Sequence, residues 1–178
     1  MNIELMQAIA KGWEIFKNNI GAFILATLLA ALLSLTVILL GPAMAGLFAM
    51  GLKAYRGESV SAGDVFAGFQ NAGNNIILGF VFIAASLIGS FIPVVGSFIA
   101  AGLFIFLFPV ALDKGLGVGE AINKSIQYFK SGWLQMIILA FVAGIIGGIG
   151  AVACAVGAIV TAPLGLLIIV AAYRQVEP

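Results

Sequence analysis

The sequence predicts an all-α, polytopic membrane protein. Six transmembrane helices are expected in three hairpin repeats, each preceded by an interfacial amphipathic helix. Three observations carry this expectation. First, the 178 residues are 63% hydrophobic and only 8% charged, whereas a soluble domain carries about a quarter charged residues. Second, every charge falls in 1–17, 53–64, 113–130 or 174–178, which leaves uncharged runs of 35, 48 and 43 residues at 18–52, 65–112 and 131–173. A bilayer core about 30 Å thick needs roughly 20 apolar residues per helix, so each run suits a pair of spans. Third, short patterns recur along the chain. The apolar residues run continuously instead of alternating, which argues against a β-barrel.

Taken in order, residues 2–19 place Leu5, Ile9, Trp13 and Phe16 at helical spacing, with Glu4, Lys11, Glu14 and Lys17 largely on other faces. This is an amphipathic helix suited to the membrane interface. The first span is expected over Ile20 to Leu40, ended by Gly41-Pro42. Proline suits the first turn of a new helix, so a second span is expected from about 42 to 56. At about 1.5 Å per residue it is short, unless it is tilted or begins before Pro42 with a kink. Ser61 and Asp64 have capping-box spacing ahead of a short helix with Val65, Phe66 and Phe69. Ile76 to Ile92 is the third span, Pro93-Val94-Val95-Gly96 a turn, and Ser97 to Leu112 the fourth, with Pro109 near its end. Glu120 opens a further amphipathic helix with Ile122, Ile126, Phe129 and Trp133 on one side. The fifth span is expected from about Trp133 to Val152 and the sixth ends at Tyr173. The turn between them falls in the glycine-dense 148–157, and Pro163 either starts or kinks the last helix.

The recurrence is specific in places. Ala8-Ile9-x-Lys11-x4-Phe16-Lys17 matches Ala121-Ile122-x-Lys124-x4-Phe129-Lys130 at an offset of 113, and Ala54-Tyr55-Arg56 matches Ala172-Tyr173-Arg174. A middle copy is weaker, with Lys114-Gly115-x-x-Val118 echoing Arg56-Gly57-x-x-Val60. The repeats are expected at about 2–60, 61–118 and 119–178 of one transmembrane domain, all in the same orientation. The expected turns near 40–42, 92–96 and 148–157 hold none of the eight Lys and Arg. Both termini are therefore expected in the cytoplasm. The apolar stretch 20–40 is longer than the core of a signal peptide and follows an amphipathic helix, so no ordinary signal peptide is expected.

Composition removes several chemistries. Histidine is absent and Cys154 is the single cysteine. An internal disulfide, a Ser–His or Cys–His nucleophile and the usual zinc sites are thereby excluded. Cys154 reads as a small packing residue. Net charge is +1, which does not suggest a nucleic-acid partner. Asp64, Asp113 and Glu120 could approach one another and do acid–base or metal work, although acids at helix starts and loop ends usually serve as caps and solvated charges. Within the spans Ser34, Thr36, Ser86, Ser90, Gln135 and Thr161 are the main polar residues, expected to bond helix backbone. Gly144-x3-Gly148 and Gly147-x3-Ala151-x3-Ala155 are small-residue faces for close helix contact. Trp13, Trp133, Tyr55, Tyr128 and Tyr173 fall at expected interfaces.

Gly157-x3-Thr161-Ala162-Pro163-x8-Ala172-Tyr173-Arg174 resembles the end of a broad group of uncharacterised bacterial six-span integral membrane proteins. Pro42-x3-Gly46 with Arg56-Gly57-Glu58, and Asp64-x-Phe66-x-Gly68-Phe69, also fit. The module is similar to the membrane domain of some glycerophosphodiester phosphodiesterases. The resemblance implies a membrane module without known catalysis. The 178 residues leave no room for a phosphodiesterase domain, so that activity is not carried over.

The leading expectation is a non-enzymatic module of the bacterial inner membrane. It would bind membrane lipids, anionic ones included, or another membrane protein or a second copy, as an accessory subunit. No cofactor and no metal are expected. A carrier or channel for a small neutral or lipidic solute is the alternative, and a membrane enzyme comes third. The candidate binding residues are Lys17, Arg56, Lys130 and Arg174. They are repeat-related in pairs, each sits where a span meets the interface, and cations there attract anionic headgroups. Ordinary positive-inside anchoring explains the same four residues without a ligand.

Overall fold

The computed structural model describes residues 3–91, 95–153 and 155–177, and these form helices throughout. The order is α1 (Leu5–Asn18), α2 (Ile20–Leu33), α3 (Val37–Tyr55), a 3-10 helix (Ala62–Phe69), α4 (Ala72–Ser90), α5 (Val95–Phe104), α6 (Leu107–Lys114), α7 (Val118–Ala153) and α8 (Ala155–Val176). Among the described residues five stretches are long and apolar enough to cross a membrane, with α5 and α6 counted together. A sixth is added if α1 and α2, bent by 93°, count as one. Outward faces are apolar too, with Leu35, Ile88 and Phe91 exposed.

The first turn departs from expectation. Gly41-Pro42 lies inside α3, and the chain turns at 34–36 instead. There Ser34 and Thr36 donate their hydroxyls to the carbonyls of Ala30 and Leu33. The α2 helix is accordingly only 14 residues long, about 21 Å. Gly41 serves close packing: a Cβ there would lie 2.0 Å from the Asn75 carbonyl oxygen, and one on Gly79 would lie 2.6 Å from the Gly41 Cα. Pro42 is the sixth residue of α3, so it removes one hydrogen bond just past the turn whose N–H groups are free anyway.

The 3-10 helix opens on the expected Ser61–Asp64 capping box. It runs back along α3, with Val65 against Gly46 and Gly68 against Pro42. The buried Asn75 side chain donates to the Gly68 carbonyl at 2.6 Å. The expected fourth span is split at 105–106. Pro109, in the first turn of α6, has no N–H for the Ile105 carbonyl, and its ring crowds that carbonyl. The break turns Phe106 inward, edge-on to Tyr128 at 5.9 Å and Tyr173 at 5.5 Å.

Gly132 adopts extended backbone (φ −166, ψ 50) and divides α7 into 118–131 and 133–153, as the sequence suggests. The second part pairs with α8 through glycines. A Cβ on Gly150 would meet the Gly157 carbonyl oxygen at 2.1 Å, and one on Gly147 would meet the Gly165 Cα at 3.4 Å. Thr161 joins this seam, donating to the Gly147 carbonyl at 2.7 Å and accepting from the Gly150 N–H at 3.2 Å. The Gly144 and Gly148 positions meet nothing within 4 Å and Ala151 is exposed, so Gly147 and Gly150 close the pair instead of either expected small-residue row. Pro163 is the ninth residue of α8 and lies inside it. The expected turn at Pro93-Val94 and the environment of Cys154 lie outside the described residues. The α1 helix packs on α8 through Ala8, Gly12 and Ile15, while Met6 and Trp13 face outward.

Candidate functional site: a charged collar

Two helix stops bring the charged residues together. Gly57 (φ 80) ends α3 and Gly115 (φ 61) ends α6. Both take the left-handed conformation that favours glycine and let the chain cap the last turn. The Gly57 N–H donates to the Ala54 carbonyl and the Leu116 N–H to the Ala111 carbonyl, each at 3.0 Å. Asp113 thus sits in the last turn of α6, where the helix dipole disfavours an anion. Two cations offset this. Arg56 donates to Asp113 Oδ1 at 2.6 Å and Arg174 to Oδ2 at 3.2 Å, and the Tyr173 hydroxyl adds a bond at 3.1 Å. The Asp113 side chain is 10% exposed and that of Arg174 16%, against 45% for Arg56. Arg174 also donates to the Glu177 carbonyl and lies over the Tyr55 ring.

Glu177 is the second centre. Lys114 reaches it at 2.7 Å and Lys124 at 3.9 Å, and the Tyr128 hydroxyl donates to it. The Lys114 hydrogen bond, then that of Tyr128, holds the Glu177 carboxyl below its usual value. Off to one side Lys53 pairs with Asp64 at 3.1 Å. Asp64 is also held low, first by the Ser61 backbone N–H and, against some desolvation, by Lys53. Around Asp113 and Glu177 stand four cations, Arg56, Lys114, Lys124 and Arg174, so the collar keeps a surplus of two positive charges.

Arg56 leans over a cleft of about 420 Å³. Its other polar walls are Asp113 and the side chains of Gln70, Asn71, Asn74 and Asn75. Asn74 spans it by donating to the Leu116 carbonyl at 3.3 Å.

Of the four residues singled out from the sequence, Arg56 and Arg174 converge, on a shared carboxylate. Lys17 and Lys130 are exposed and make no ion pair among the described residues. The three acids do not cluster: Asp64 and Asp113 have separate cations, and Glu120 accepts from the Gly117 N–H. Among the described residues no group of three His, Cys, Asp or Glu side chains could hold a metal. Trp13 and Trp133 are exposed, but Tyr128 and Tyr173 are buried beneath the collar. Their hydroxyls are spent on the two carboxylates instead of on water. Glu177 was missed because a glutamate one residue from a chain end gives no sign in sequence that three elements meet on it. No family model, curated protein or solved structure matches this chain.

Proposed function

We propose that the chain is a non-enzymatic module of the bacterial inner membrane that binds anionic lipid at its collar. In this reading six spans form three hairpins with both termini in the cytoplasm. The outward apolar faces favour lipid as solvent, and the concentration of all eight Lys and Arg in four segments favours a cytoplasmic collar. One observation carries the binding reading. Arg56 faces the amide-walled cleft with nearly half of its side chain exposed, while its carboxylate partner is shared with Arg174. A phosphate there finds an incompletely neutralised guanidinium, which favours bidentate contact, and amide N–H donors beside it.

The experiment is mass spectrometry of the intact protein released from native membranes. Retained anionic phospholipid, lost in Arg56→Gln, is the expected result. Retention of lipids in bulk proportion, unchanged by the substitution, would overturn the reading.

A further inference from the structure

A second cavity, of about 310 Å³, is lined by residues of α2 to α8, shares no lining residue with the collar and is partly open to the outside. All of its lining residues are uncharged, and Thr27 of α2 is the polar one among them. One wall is made by Phe48, Phe82 and Phe108, whose rings pack on one another at 5.8 and 6.4 Å and so are not free to swing inward. Another part of the lining is Ala143, Gly144 and Gly147, which have no side chain long enough to fill the space.

Among the described residues Thr27 and Ser125 have buried hydroxyls with no hydrogen-bond partner, and Thr27 is the one that lines this cavity. Ser34, Thr36, Ser86, Ser90 and Ser131 each donate to a carbonyl three or four residues back, the ordinary solution for a hydroxyl in an apolar helix, and Thr161 donates across to the Gly147 carbonyl. Thr27 is 8% exposed, and its Oγ1 has no hydrogen-bond partner among the described residues. A buried polar atom left unpaired costs roughly 1–3 kcal/mol. A trapped water is a poor remedy, because it needs two to four polar partners and Thr27 offers one.

We infer that this cavity binds a long-chain alcohol, straight or isoprenoid, with its hydroxyl on Thr27 and its chain along the phenylalanine and glycine parts of the lining. The volume is at the lower end for ligand pockets, roughly 300–1,000 Å³, and suits one chain. A carboxylate or phosphate headgroup does not suit its interior, because no cation among the described residues lines the cavity and an unpaired buried charge is prohibitive. A plain hydrocarbon leaves Thr27 unsatisfied. A hydroxyl both donates and accepts, as threonine does.

The test uses the full chain in phosphatidylcholine nanodiscs and hexadecanol carrying a mid-chain diazirine. Photolabelled residues are mapped by peptide mass spectrometry, with unlabelled hexadecanol or hexadecane as competitor. The expected result is labelling of Met44, Phe48 or Phe108, displaced about three- to tenfold better by the alcohol than by the alkane, as one neutral hydrogen bond allows. Thr27→Val keeps the labelling and loses the preference. Gly144→Leu, whose new Cβ meets no protein atom within 4 Å, fills the space and abolishes labelling. Equal displacement by alcohol and alkane in the unmodified protein would overturn the inference, as would labelling confined to outward residues such as Ile138 and Ile149. Loss of anionic lipid binding at Arg56 leaves this result untouched, so the two sites fail separately.

Discussion

Asp113 holds its charge against the dipole of its own helix, and two arginines compensate. Removing the carboxylate therefore strands Arg174, whose side chain is only 16% exposed. Asp113→Asn is expected to cost about 2 kcal/mol, in the range for hydrogen bonds to charged groups. Arg56→Gln removes a more exposed partner and is expected to cost about 0.5 kcal/mol. Thermal melts in one detergent would check the order; a larger loss for Arg56→Gln contradicts it. The two depressed carboxylates set a pH response of known sign. Glu177 and Asp64 titrate below their ordinary values of 4.5 and 3.8, so they stabilise the fold above those values and the contribution is lost as pH falls through the folded ones. Melting temperature should hold from neutrality to about pH 5, fall below about pH 4, and fall less steeply in Glu177→Gln. Sequence spacing made Arg56 and Arg174 legible as repeat-related, because Ala-Tyr-Arg recurs at 54–56 and 172–174, but it grouped them with Lys17 and Lys130, which make no ion pair among the described residues. It did not make Thr27 legible. Thr27 differs from the span hydroxyls Ser34, Thr36, Ser86 and Ser90 by a hydrogen bond it does not make, and that depends on what α3 and α7 place around it.

At the scale of elements, glycine and proline carried most of the uncertainty. Each was legible as a special position, but not as to which use it serves. Gly41-Pro42 reads as a turn, yet Gly41 is where α4 presses on α3 and the turn falls to Ser34 and Thr36. Pro109 reads as the end of a span, yet it splits that span four residues earlier. By contrast Arg56-Gly57 and Lys114-Gly115 read as stops and act as stops, because a left-handed cap is a local requirement. Packing glycines and open glycines should separate on substitution. A Cβ on Gly46 would stand 1.7 Å from the Val65 carbonyl oxygen, whereas one on Gly148 meets nothing within 4 Å. Gly46→Ala is expected to lose about 3 kcal/mol or to displace the 3-10 helix. Gly148→Ala is expected to gain up to about 1 kcal/mol from helix propensity. Unfolding in a mixed-micelle titration would compare them, and equal effects would mean that the 3-10 helix does not lie on α3.

For the whole molecule, composition made the all-helical, membrane-suited architecture legible, since 8% charge leaves no polar surface for a soluble fold of this length. The layout of three hairpins remains our proposal, and topology is its check. Reporter fusions after Arg56, Lys114 and Arg174 should report the cytoplasm, and one at Leu35 the far side. A far-side report after Lys114 would require an odd number of spans before it. The central claim is that the collar's arginines, and not positive charge in general, hold anionic lipid. The measurement is the melting temperature in phosphatidylcholine with and without phosphatidylglycerol, for the unmodified protein, Arg56→Gln/Arg174→Gln and Lys17→Gln/Lys130→Gln. With an interfacial cation worth about 1 kcal/mol at an anionic surface, and about 2–4 °C per kcal/mol at this size, the lipid should raise the melting temperature of the unmodified protein and the lysine variant by several degrees. The arginine variant should gain less than half as much. Equal gains in all three proteins would contradict the claim and reduce the collar to an anchor.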